Sequence, residues 1–528
     1  MLIRVEPFLD INMTSMFALV LGSLAASYVF LLALLRLTQD SKEPPAIENS
    51  IPFLTPLLGS ISGMQKYAVK LRDKYGLPIY TLRMPGQRIY LINSLSLIPP
   101  LQRELRNIAF PPIEAQAAAT VMGVGPAGNA IIGSDKMFEH DSYLSTFVPS
   151  TFPALSPGPG LDAINGAAIQ YMSDSLEKLK ENGPRTVELF SWVRRQLFMA
   201  TTEAIYGPKN PFRDPTLERA WYDFEPTIMI HMLKVWPSLL APKSLHSREK
   251  LLIPAFEKYF AENSHHQGSL LVQCRYKHNT DHGLRGRDVA ATEIGQMVAS
   301  LTNSVAAAFW MIYHVFSDPV VLEEYRNEVE QLVHTDDSGL CTVDLAKIKS
   351  LCPILLSTWQ ETLRYVHIGI SARVVMNDIM FDNKYLLKKG ATVMTIAPVQ
   401  HTDLAVWGPT VHTFDHRRFL RKPSEKRINP VAFRSFGGGA VLCPGRHFVS
   451  TEIMAFTALL LLRFDLKPVA TDVTWVEPRK VIPMTSSMPT PKDKVRVEIV
   501  SRDNRSWEMK FSASAKGVEI VAEDLKRV

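Results

Sequence analysis

The residue with the most distinctive chemistry is Cys443, which ends a glycine-rich stretch and precedes an apolar, helix-like run over residues 448–462. Backbone N–H groups and the dipole at a helix N-terminus favour an anion, so we expect a lowered thiol pKa. The resulting thiolate is a metal ligand. An isolated cysteine is more often a small buried apolar residue, so its neighbours must decide between the two interpretations.

Those neighbours fit a single pattern. Phe436, Gly439, Cys443 and Gly445 have the spacing Phe-x-x-Gly-x-x-x-Cys-x-Gly, and the segment resembles the heme-binding loop of cytochromes P-450. The resemblance implies heme b (iron protoporphyrin IX) as the cofactor, with the Cys443 thiolate as its axial ligand. Members of this family often have Arg or His two residues before the cysteine, in contact with a heme propionate. Val441 stands there in this chain, so that contact is expected to come from elsewhere.

A carboxylate and a guanidinium lie one helical turn apart at Glu361 and Arg364. Such pairs are common on helix surfaces, where they contribute about 0.2–0.5 kcal/mol. Glu323 and Arg326 have the same spacing, which is typical of a solvated helix face. The spacing alone therefore does not separate a buried pair from an exposed one.

Position along the chain separates them. Residues 414–419 lie between Glu361 and Cys443 and resemble the Phe-x-x-x-Arg-Phe element of cytochromes P-450. By resemblance, Glu361, Arg364 and Arg418 form a buried structural network that braces the heme-binding core. Arg373 begins a strand after that helix and matches the family's propionate-binding arginine, so it is expected to compensate for Val441.

Residues 288–317 are long enough to form a single helix of about 45 Å, which by resemblance crosses the heme. The family commonly carries an acid followed by Thr at its centre, whereas this chain has Asn303 at the Thr position and its nearest carboxylate ten residues away, at Glu293. Asn303 and Ser304 are the candidate catalytic residues, organising water for proton delivery together with Thr302. Alternatively, Asn303 orients a substrate oxygen, or it forms a structural hydrogen bond to a neighbouring helix.

An asparagine at this position resembles the branch of the family that contains prostacyclin synthase, the steroid 7α- and 12α-hydroxylases and many fungal biosynthetic relatives. That branch includes hydroxylases and an isomerase that acts on a peroxide. The resemblance therefore leaves the reaction type open.

The remaining patterns predict a mainly α fold with a minor β region, the cytochrome P-450 fold, preceded by one N-terminal transmembrane helix. Apolar residues recur at helical spacing, and alternation or β-branched composition marks two strand-rich regions. The predicted helices cover residues 163–180, 186–206, 288–316, 319–334 and 353–365, and the predicted strands lie within residues 76–97 and 374–393.

Residues 16–35 carry no charge and are long enough to span about 30 Å of hydrocarbon. Arg36 and Lys42 flank the run on its C-terminal side, so the rest of the chain is expected in the cytosol. Asn12 begins a glycosylation sequon on the predicted lumenal side. The predicted organisation is a lumenal N-terminus over residues 1–15, a transmembrane helix over 16–35, a Pro-rich linker over 36–56, a heme-thiolate catalytic domain over 57–502 and a C-terminal tail over 503–528.

Composition excludes other classes. The formal net charge is +6 without any block of like charge, which gives no argument for nucleic-acid binding and suits an anionic membrane or an acidic redox partner. The four cysteines are scattered without metal-type pairs or a disulfide framework, which indicates a reducing compartment.

Two apolar segments allow two interpretations each. Residues 110–132 have the composition of a surface loop, and by resemblance they cover the distal heme face and contact substrate. Residues 228–240 are apolar with few charges, which predicts either a buried helix end or, by resemblance, a loop that dips into the membrane.

Residues 366–371, 303–308 and 484–488 line the substrate pocket by resemblance, and their apolar character predicts a bulky apolar substrate.

The sequence is thus identified as a heme-thiolate monooxygenase of the endoplasmic reticulum membrane. It is expected to oxidise a lipophilic terpenoid, sterol-like or polyketide molecule, by hydroxylation, epoxidation or multi-step oxidation in secondary metabolism. Electrons are expected from NADPH through NADPH-cytochrome P-450 reductase, with cytochrome b5 as an additional donor. The alternatives are a redox-independent isomerase or dehydratase of a peroxide or epoxide, and a heme-binding sensor without turnover.

Overall fold

The computed structural model describes residues 13–47, 51–420, 428–469, 474–483, 486–512, 521 and 524. These divide into two compact units. Unit 1 contains the chain up to Ala109 together with Ser371–Val399, and unit 2 contains Phe110–Ile370 together with the chain from Gln400 onwards. Helices outnumber strands, so the prediction of a mainly α fold with a minor β region is confirmed. Asn12, with its sequon, lies outside the described residues.

Unit 1 is built on a five-stranded sheet. Its strand order is Ile79–Met84, Gln87–Ile92, Thr392–Ile396, Ile370–Val375 and Ile108–Ala109. The first two strands form an antiparallel hairpin in the register Ile79 to Ile92, and the second pairs in parallel with Thr392–Ile396. The helices of this unit that pack near the sheet are Leu54–Ile61, Met64–Tyr75 and Ile98–Arg103.

Residues 16–38 of the N-terminal helix, Met13–Thr38, are exposed or half-buried, and the span Met16–Thr38 has a mean hydropathy of 2.3. An exposed apolar helix of this length is able to cross a membrane. The helical segment Arg287–Ser317 is also long and apolar enough to cross a membrane, but it is largely buried within unit 2. Only the N-terminal helix therefore combines the length with an exposed apolar surface among the described residues.

Part of the predicted linker is attached to the sheet of unit 1. Arg83 Nη2 donates to Thr38 Oγ1 at 2.9 Å and Arg88 Nη2 donates to the Thr38 carbonyl at 2.8 Å. The Tyr90 hydroxyl donates to the buried Glu43 carboxylate at 2.7 Å. A short parallel bridge joins Ala46 to the first strand. Residues 38–47 are thus fixed to the hairpin by hydrogen bonds, which the proline-based interpretation as a spacer did not anticipate.

Unit 2 is predominantly helical. Its longer helices are Tyr143–Leu155, Pro159–Glu181, Leu189–Tyr206, Pro215–Phe224, Ile253–Ala261, Leu270–Asp281, Arg287–Leu301, Ser304–Ser317, Pro319–Glu330, Pro353–Val366 and Arg446–Arg463. Its strands form small sheets, of which Phe464–Pro468, Arg496–Ser501 and Arg185–Glu188 make one, and Ser506–Lys510, Leu340–Asp344 and Val333–Thr335 make another.

The centre of unit 2 is the helix Ser304–Ser317, whose residues from Ser304 to Phe316 are all buried. It packs against Leu189–Tyr206, Pro353–Val366 and Arg446–Arg463. Apolar side chains lie on every face of this helix, which agrees with its complete burial, since a helix that is apolar all round is buried all round.

The predicted single helix over residues 288–316 is wrong in one respect. It is interrupted at Thr302–Asn303, which separates Arg287–Leu301 from Ser304–Ser317. Asparagine favours helix ends because its side chain offers alternative hydrogen bonds. The predicted helix 319–334 is also too long: it ends at Glu330, and Val333–Thr335 forms a strand.

Residues 110–132 are helical rather than a loop, forming Pro111–Ala117, a π-helical turn Ala118–Met122 and Pro126–Ile132. Distant side chains hold them. Asp288 accepts hydrogen bonds from the N–H groups of Gly125 and Gly128 at 2.7 and 3.0 Å, and Arg287 Nη1 donates to the Gly123 carbonyl at 2.7 Å. These contacts with Asp288 and Arg287 join residues more than 150 positions apart along the chain, beyond the reach of local sequence patterns.

Candidate functional site

The cysteine loop, residues 436–445, is a tight turn that ends at the helix Arg446–Arg463. The Cys443 N–H donates to the Phe436 carbonyl at 3.0 Å, and the Leu442 N–H donates to the Gly439 carbonyl at 3.2 Å. Gly437 has φ of 76°, and a Cβ there would lie 2.9 Å from the Val441 carbonyl oxygen. The loop conformation therefore requires glycine at position 437.

Two backbone N–H groups, from Gly445 and Arg446, hydrogen-bond the Cys443 sulfur. Desolvation nevertheless raises the pKa of the Cys443 thiol, and these two donors and the Arg446 charge oppose that rise only in part. The predicted net lowering of the pKa by the helix N-terminus is therefore wrong for the polypeptide alone, because desolvation disfavours the charged form. A metal cation at the sulfur would reverse that balance, since coordination deprotonates a thiol.

The structure brings Glu361, Arg364 and Arg418 into one buried cluster. Arg364 Nε and Nη2 each donate to the Glu361 carboxylate at 2.7 Å, and Arg418 Nε donates to both of its oxygens at 3.0 and 3.1 Å. The Asp415 N–H donates to the same carboxylate at 3.1 Å. Glu361 is fully buried, so its charge is balanced by two guanidinium groups rather than by bulk solvent.

This cluster is connected to the cysteine loop through His401. Arg364 Nη1 donates to the His401 carbonyl at 2.9 Å, and the Arg364 carbonyl lies 3.1 Å from His401 Nδ1. The Arg434 N–H donates to His401 Nε2 at 2.9 Å, so Nε2 is the acceptor and Nδ1 carries the hydrogen. Ser435 Oγ donates to the Leu363 carbonyl at 3.0 Å. The start of the cysteine loop is thus attached to the end of the Glu361 helix.

Asn303 contacts a turn formed by residues 486–488. Its Oδ1 accepts hydrogen bonds from the Ser487 N–H at 2.7 Å and from Ser486 Oγ at 3.0 Å. Both hydrogen bonds use the amide oxygen, and Nδ2 donates no hydrogen bond to a described residue. The amide oxygen therefore serves structure, whereas the two Nδ2 hydrogens remain available as donors. Met484 and Thr485, also predicted to line the pocket, lie outside the described residues.

The hydroxyls beside Asn303 differ from each other. Ser304 Oγ donates to the Ser300 carbonyl, one turn earlier in its own helix, at 2.7 Å. Its single hydrogen is thereby used, so Ser304 is able only to accept a further hydrogen bond. Thr302 Oγ1 is buried and has no hydrogen-bond partner among the described residues. Of these two hydroxyls, Thr302 is the one that retains a free donor.

Sequence reasoning missed the role of Glu293, the carboxylate nearest to Asn303 along the helix. Arg275 donates to both Glu293 oxygens, at 3.1 and 2.6 Å, and the Tyr206 hydroxyl donates to one of them at 2.9 Å. Glu293 and Arg275 are fully buried. The carboxylate is thus fully engaged by a cation and a phenol, which removes it as a mobile proton carrier.

Sequence reasoning also missed His367, which follows the helix Pro353–Val366. Its ring is buried, and neither nitrogen has a partner among the described residues. Burial lowers the pKa of His367 to about 4, so the ring is neutral, with one donor and one acceptor. A Cβ at Gly369 would approach His367 Nε2 to 2.4 Å, and Gly369 also faces Ser487, the turn residue bonded to Asn303.

His367 and Thr302 provide a test of whether this region suits a heme. Buried polar atoms without protein partners are rare in native structures, and such atoms are explained by a group that the polypeptide itself does not supply. His367 lies next to the His401 ring, with centroids 5.8 Å apart, and His401 is bonded to the start of the cysteine loop. The sulfur donor and the two unpartnered polar side chains therefore fit a cofactor that carries both a metal and hydrogen-bonding carboxylates.

Arg373 lies in unit 1, in the strand Ile370–Val375. Its guanidinium is buried, and Nη1 donates to the Leu101 carbonyl at 3.3 Å. The predicted contact of Arg373 with a heme propionate remains a prediction.

Residues 228–240 end in an exposed apolar surface. Leu233, Trp236 and Leu239 expose 53%, 71% and 71% of their area, whereas Ile228 and His231 are buried. The prediction of a buried helix end is therefore wrong for residues 233–240. Large exposed apolar side chains grouped in this way are typical of an interaction surface. We call residues 233–240 the apolar patch.

Comparisons with known proteins agree with this arrangement. A family model described as Cytochrome P-450 matches residues 45–497. The chain is 34% identical over 483 residues to the Cytochrome P-450 monooxygenase nodJ of Hypoxylon pulicicidum, a match covering 88% of this chain and 91% of that relative. It is 27% identical to a Cytochrome P-450 monooxygenase of Gibberella zeae, covering 90% and 92%. It is 22% identical to the cholesterol 7-alpha-monooxygenase of Cricetulus griseus, covering 83% and 90%.

Proposed function

This chain belongs to the cytochrome P-450 family, and on that premise we propose that it is a membrane-anchored monooxygenase of a bulky lipophilic molecule, of terpenoid, sterol-like or polyketide type, in fungal-type secondary metabolism. The observation that carries the proposal is the cysteine loop, in which the Cys443 sulfur receives two backbone N–H groups at the start of a buried helix. The similarity to a cholesterol-oxidising relative supports a rigid polycyclic substrate class.

A bound heme would supply the oxygen chemistry, with Cys443 as its thiolate ligand. His367 would donate a hydrogen bond to one heme carboxylate, in place of the residue that the family often has at the position of Val441. Arg373 is the second candidate for a carboxylate contact. Replacing His367 with Leu should therefore weaken heme retention while the thiolate-type spectrum persists in the fraction that keeps heme. Unchanged heme retention in the His367→Leu variant would exclude His367 from this role.

The polypeptide's own part in the reaction lies at the helix interruption. The Nδ2 hydrogens of Asn303 and the Thr302 hydroxyl are donors that would hold a water or a substrate oxygen. Ser304 would accept from the same water, because its own hydrogen is donated to Ser300. The next residues of the helix, Val305, Ala306 and Ala307, are apolar and buried, which would limit the entry of bulk water. Proton delivery would thus run through amide, hydroxyl and water rather than a carboxylate.

The membrane assignment rests on two apolar features, the helix Met16–Thr38 and the apolar patch. Arg36 and Lys42 on the C-terminal flank of the helix favour a cytosolic catalytic part. We assign the endoplasmic reticulum membrane, with NADPH-cytochrome P-450 reductase as electron donor and cytochrome b5 as an additional one.

The second candidate function is a redox-independent isomerase or dehydratase of a peroxide or epoxide. The engagement of Glu293 by Arg275 and Tyr206 favours it, because no free carboxylate serves the helix interruption from that position. A monooxygenase needs external electrons for each turnover, and an isomerase does not. NADPH dependence therefore distinguishes the two.

The test uses the full-length protein in phospholipid nanodiscs with reductase and dioxygen, and host metabolite extracts screened by mass spectrometry with and without NADPH. We expect a product heavier by one oxygen atom, formed only with NADPH, and a red-shifted Soret band for the reduced carbon monoxide complex. Cys443→Ser should abolish that band. Product formation that is independent of NADPH would support the isomerase or dehydratase instead of the monooxygenase. Heme binding without any product would support the heme-binding sensor.

A further inference from the structure

The described part of the C-terminal tail, residues 503–512 with Val521 and Asp524, packs as part of unit 2. Its strand Ser506–Lys510 pairs in parallel with Leu340–Asp344 and adds the third strand to that sheet. Beyond the strand, the Ser512 N–H and Oγ donate to the Asp344 carboxylate at 3.1 and 2.8 Å. The tail is therefore attached to the body of the unit before its last residues are reached.

A second attachment lies at the other end of the tail, at Asp524. Arg446 Nε and Nη2 donate to Asp524 Oδ1 at 2.8 and 2.7 Å, and both side chains are more than nine-tenths buried. The Val521 N–H donates to Asp524 Oδ2 at 3.2 Å, which fixes the carboxylate within its own turn. Two charge-assisted hydrogen bonds between buried partners make this a specific contact rather than a surface pair.

Arg446 transmits this contact to the cysteine loop. Its third donor, Nη1, reaches the Cys443 carbonyl at 3.1 Å, and its backbone N–H is one of the two that hydrogen-bond the sulfur. We propose that Asp524 is a positioning residue of the thiolate site, which orients and neutralises Arg446, so that the C-terminal tail sets both heme retention and the charge near the sulfur. This inference rests on the proposed heme-thiolate function.

The charges around Asp524 make its carboxylate the compensating group. His447 Nε2 lies 3.5 Å from Asp524 Oδ1, and Lys349 interacts electrostatically with both Asp524 and Asp162. Without the Asp524 charge, Arg446 would remain as a buried cation with an additional basic group close by, which is strongly unfavourable. A net cation beside the iron ligand stabilises the reduced iron relative to the oxidised iron, because it disfavours the more positive state.

The experiment compares full-length Asp524→Asn with Asp503→Asn, which removes the same charge from the same tail but from an Asp503–Arg505 pair outside the cysteine loop. Two quantities are measured: the rate of heme transfer to apomyoglobin, and the reduction potential of the fraction that retains heme. For Asp524→Asn we expect about tenfold faster heme loss, the factor for one charge-assisted hydrogen bond, and a shift of the potential to more positive values. Asp503→Asn should match the parent, and Asp524→Glu should restore most of the parent behaviour.

Parent-like values for Asp524→Asn in both measurements would overturn the proposal. Faster heme loss without any shift in potential would also overturn it, because that result describes a tail that only stabilises the fold. A parent without a thiolate-type spectrum would refute the proposed function instead. In that case a double-mutant cycle of Arg446→Gln and Asp524→Asn on thermal unfolding would still report whether the two side chains interact.

Discussion

Glu361 and Glu293 are both fully buried carboxylates held by arginine, yet they stabilise different sides of the candidate site. Glu361 accepts from Arg364 and Arg418, and these two arginines donate to the backbone carbonyls of His401 and Thr410, which precede the cysteine loop. Glu293 binds Arg275 and Tyr206 and so joins the helix Arg287–Leu301, which ends just before Asn303, to two other helices. The same ion-pair chemistry thus supports the loop proposed to bind the cofactor on one side, and the helix next to the proposed catalytic residues on the other. We call these the cysteine side and the helix side.

The largest effect is expected on the cysteine side. Glu361→Ala leaves two buried guanidinium groups without their carboxylate, at a cost of about 3–5 kcal/mol, and releases the His401 connection to the loop. We expect loss of heme incorporation, measured by heme content and the carbon monoxide spectrum of the purified protein. Arg364→Ala should do the same.

Glu323→Ala is the matched control, because Glu323 has the same spacing to an arginine but is exposed, and Arg326 pairs with Asp465 instead. The heme content of Glu323→Ala should be close to that of the parent. Equal heme content in all three variants would contradict the bracing role of the Glu361 cluster.

On the helix side, Glu293→Ala strands Arg275 in a buried position and should lower the free energy of unfolding by about 3–5 kcal/mol. Glu293 is bonded to Arg275 and Tyr206, neither of which belongs to the cysteine loop, so the protein that remains folded should keep a thiolate-type spectrum. Thermal unfolding and heme content per folded molecule separate the two effects. A Glu293→Ala variant that keeps its stability but lacks heme would contradict the separate roles of the cysteine side and the helix side.

Asn303→Ala should affect chemistry more than structure. Positioned proton transfer typically contributes roughly 10²–10⁴-fold, so coupled product formation should fall by about that factor, with reducing equivalents lost as hydrogen peroxide. The measurements are product yield, NADPH oxidation and peroxide release. The Asn303 amide oxygen also holds the 486–488 turn, and Asn303→Asp, which keeps an acceptor there, controls for that contact. Well-coupled oxidation by the Ala variant would leave Asn303 a purely structural residue.

The cysteine side should also carry a pH dependence through Glu452, on the helix that follows Cys443. Glu452 is buried with Thr201 as its donor, and desolvation raises its pKa to about 8. The unfolded chain ionises this carboxyl near pH 4.5 while the folded protein keeps it neutral, so the free energy of unfolding should fall by about 1.4 kcal/mol per pH unit between these values. Glu452→Gln should flatten that slope in thermal unfolding, and the exposed Glu262→Gln should not. An unchanged slope for Glu452→Gln would refute the assignment.

The smallest effect is expected at the apolar patch, which belongs to neither side. In a protein lacking residues 1–36, Trp236→Ser with Leu239→Ser should reduce binding to phosphatidylcholine vesicles several-fold, because both exposed apolar side chains are lost. Heme content should not change. Leu270→Ser, at another exposed leucine, is the control. Vesicle binding that survives both serine substitutions would place the membrane contact elsewhere.

The sequence predicts these features unevenly, for physical reasons. Cys443 and the Glu361 helix carry local spacing signals, and strands such as Ile79–Met84 follow from alternation. The Glu293 cluster has no such signal, since Tyr206, Arg275 and Glu293 come from three separated helices. Residues 110–132 differ from the loop that their composition predicts, because long-range contacts from Asp288 and Arg287 order them. The helix interruption at Asn303 depends on a turn nearly two hundred residues later, and the rise in the Cys443 pKa depends on desolvation that a sequence does not display.

The junction between the N-terminal helix and the hairpin of unit 1 has a mechanical consequence. Thr38 is hydrogen-bonded to Arg83 and Arg88, and Glu43 is hydrogen-bonded to Tyr90. These bonds restrict rotation of the helix relative to the sheet. With the helix embedded in a bilayer, the sheet would inherit its tilt and its slow rotation about the membrane normal. A foreign membrane anchor fused at residue 36 would keep the hydrogen bonds of residues 38–47 and therefore the orientation of the sheet. An anchor fused in place of residues 1–47 would lose these hydrogen bonds, and the sheet would then be free to reorient relative to the membrane.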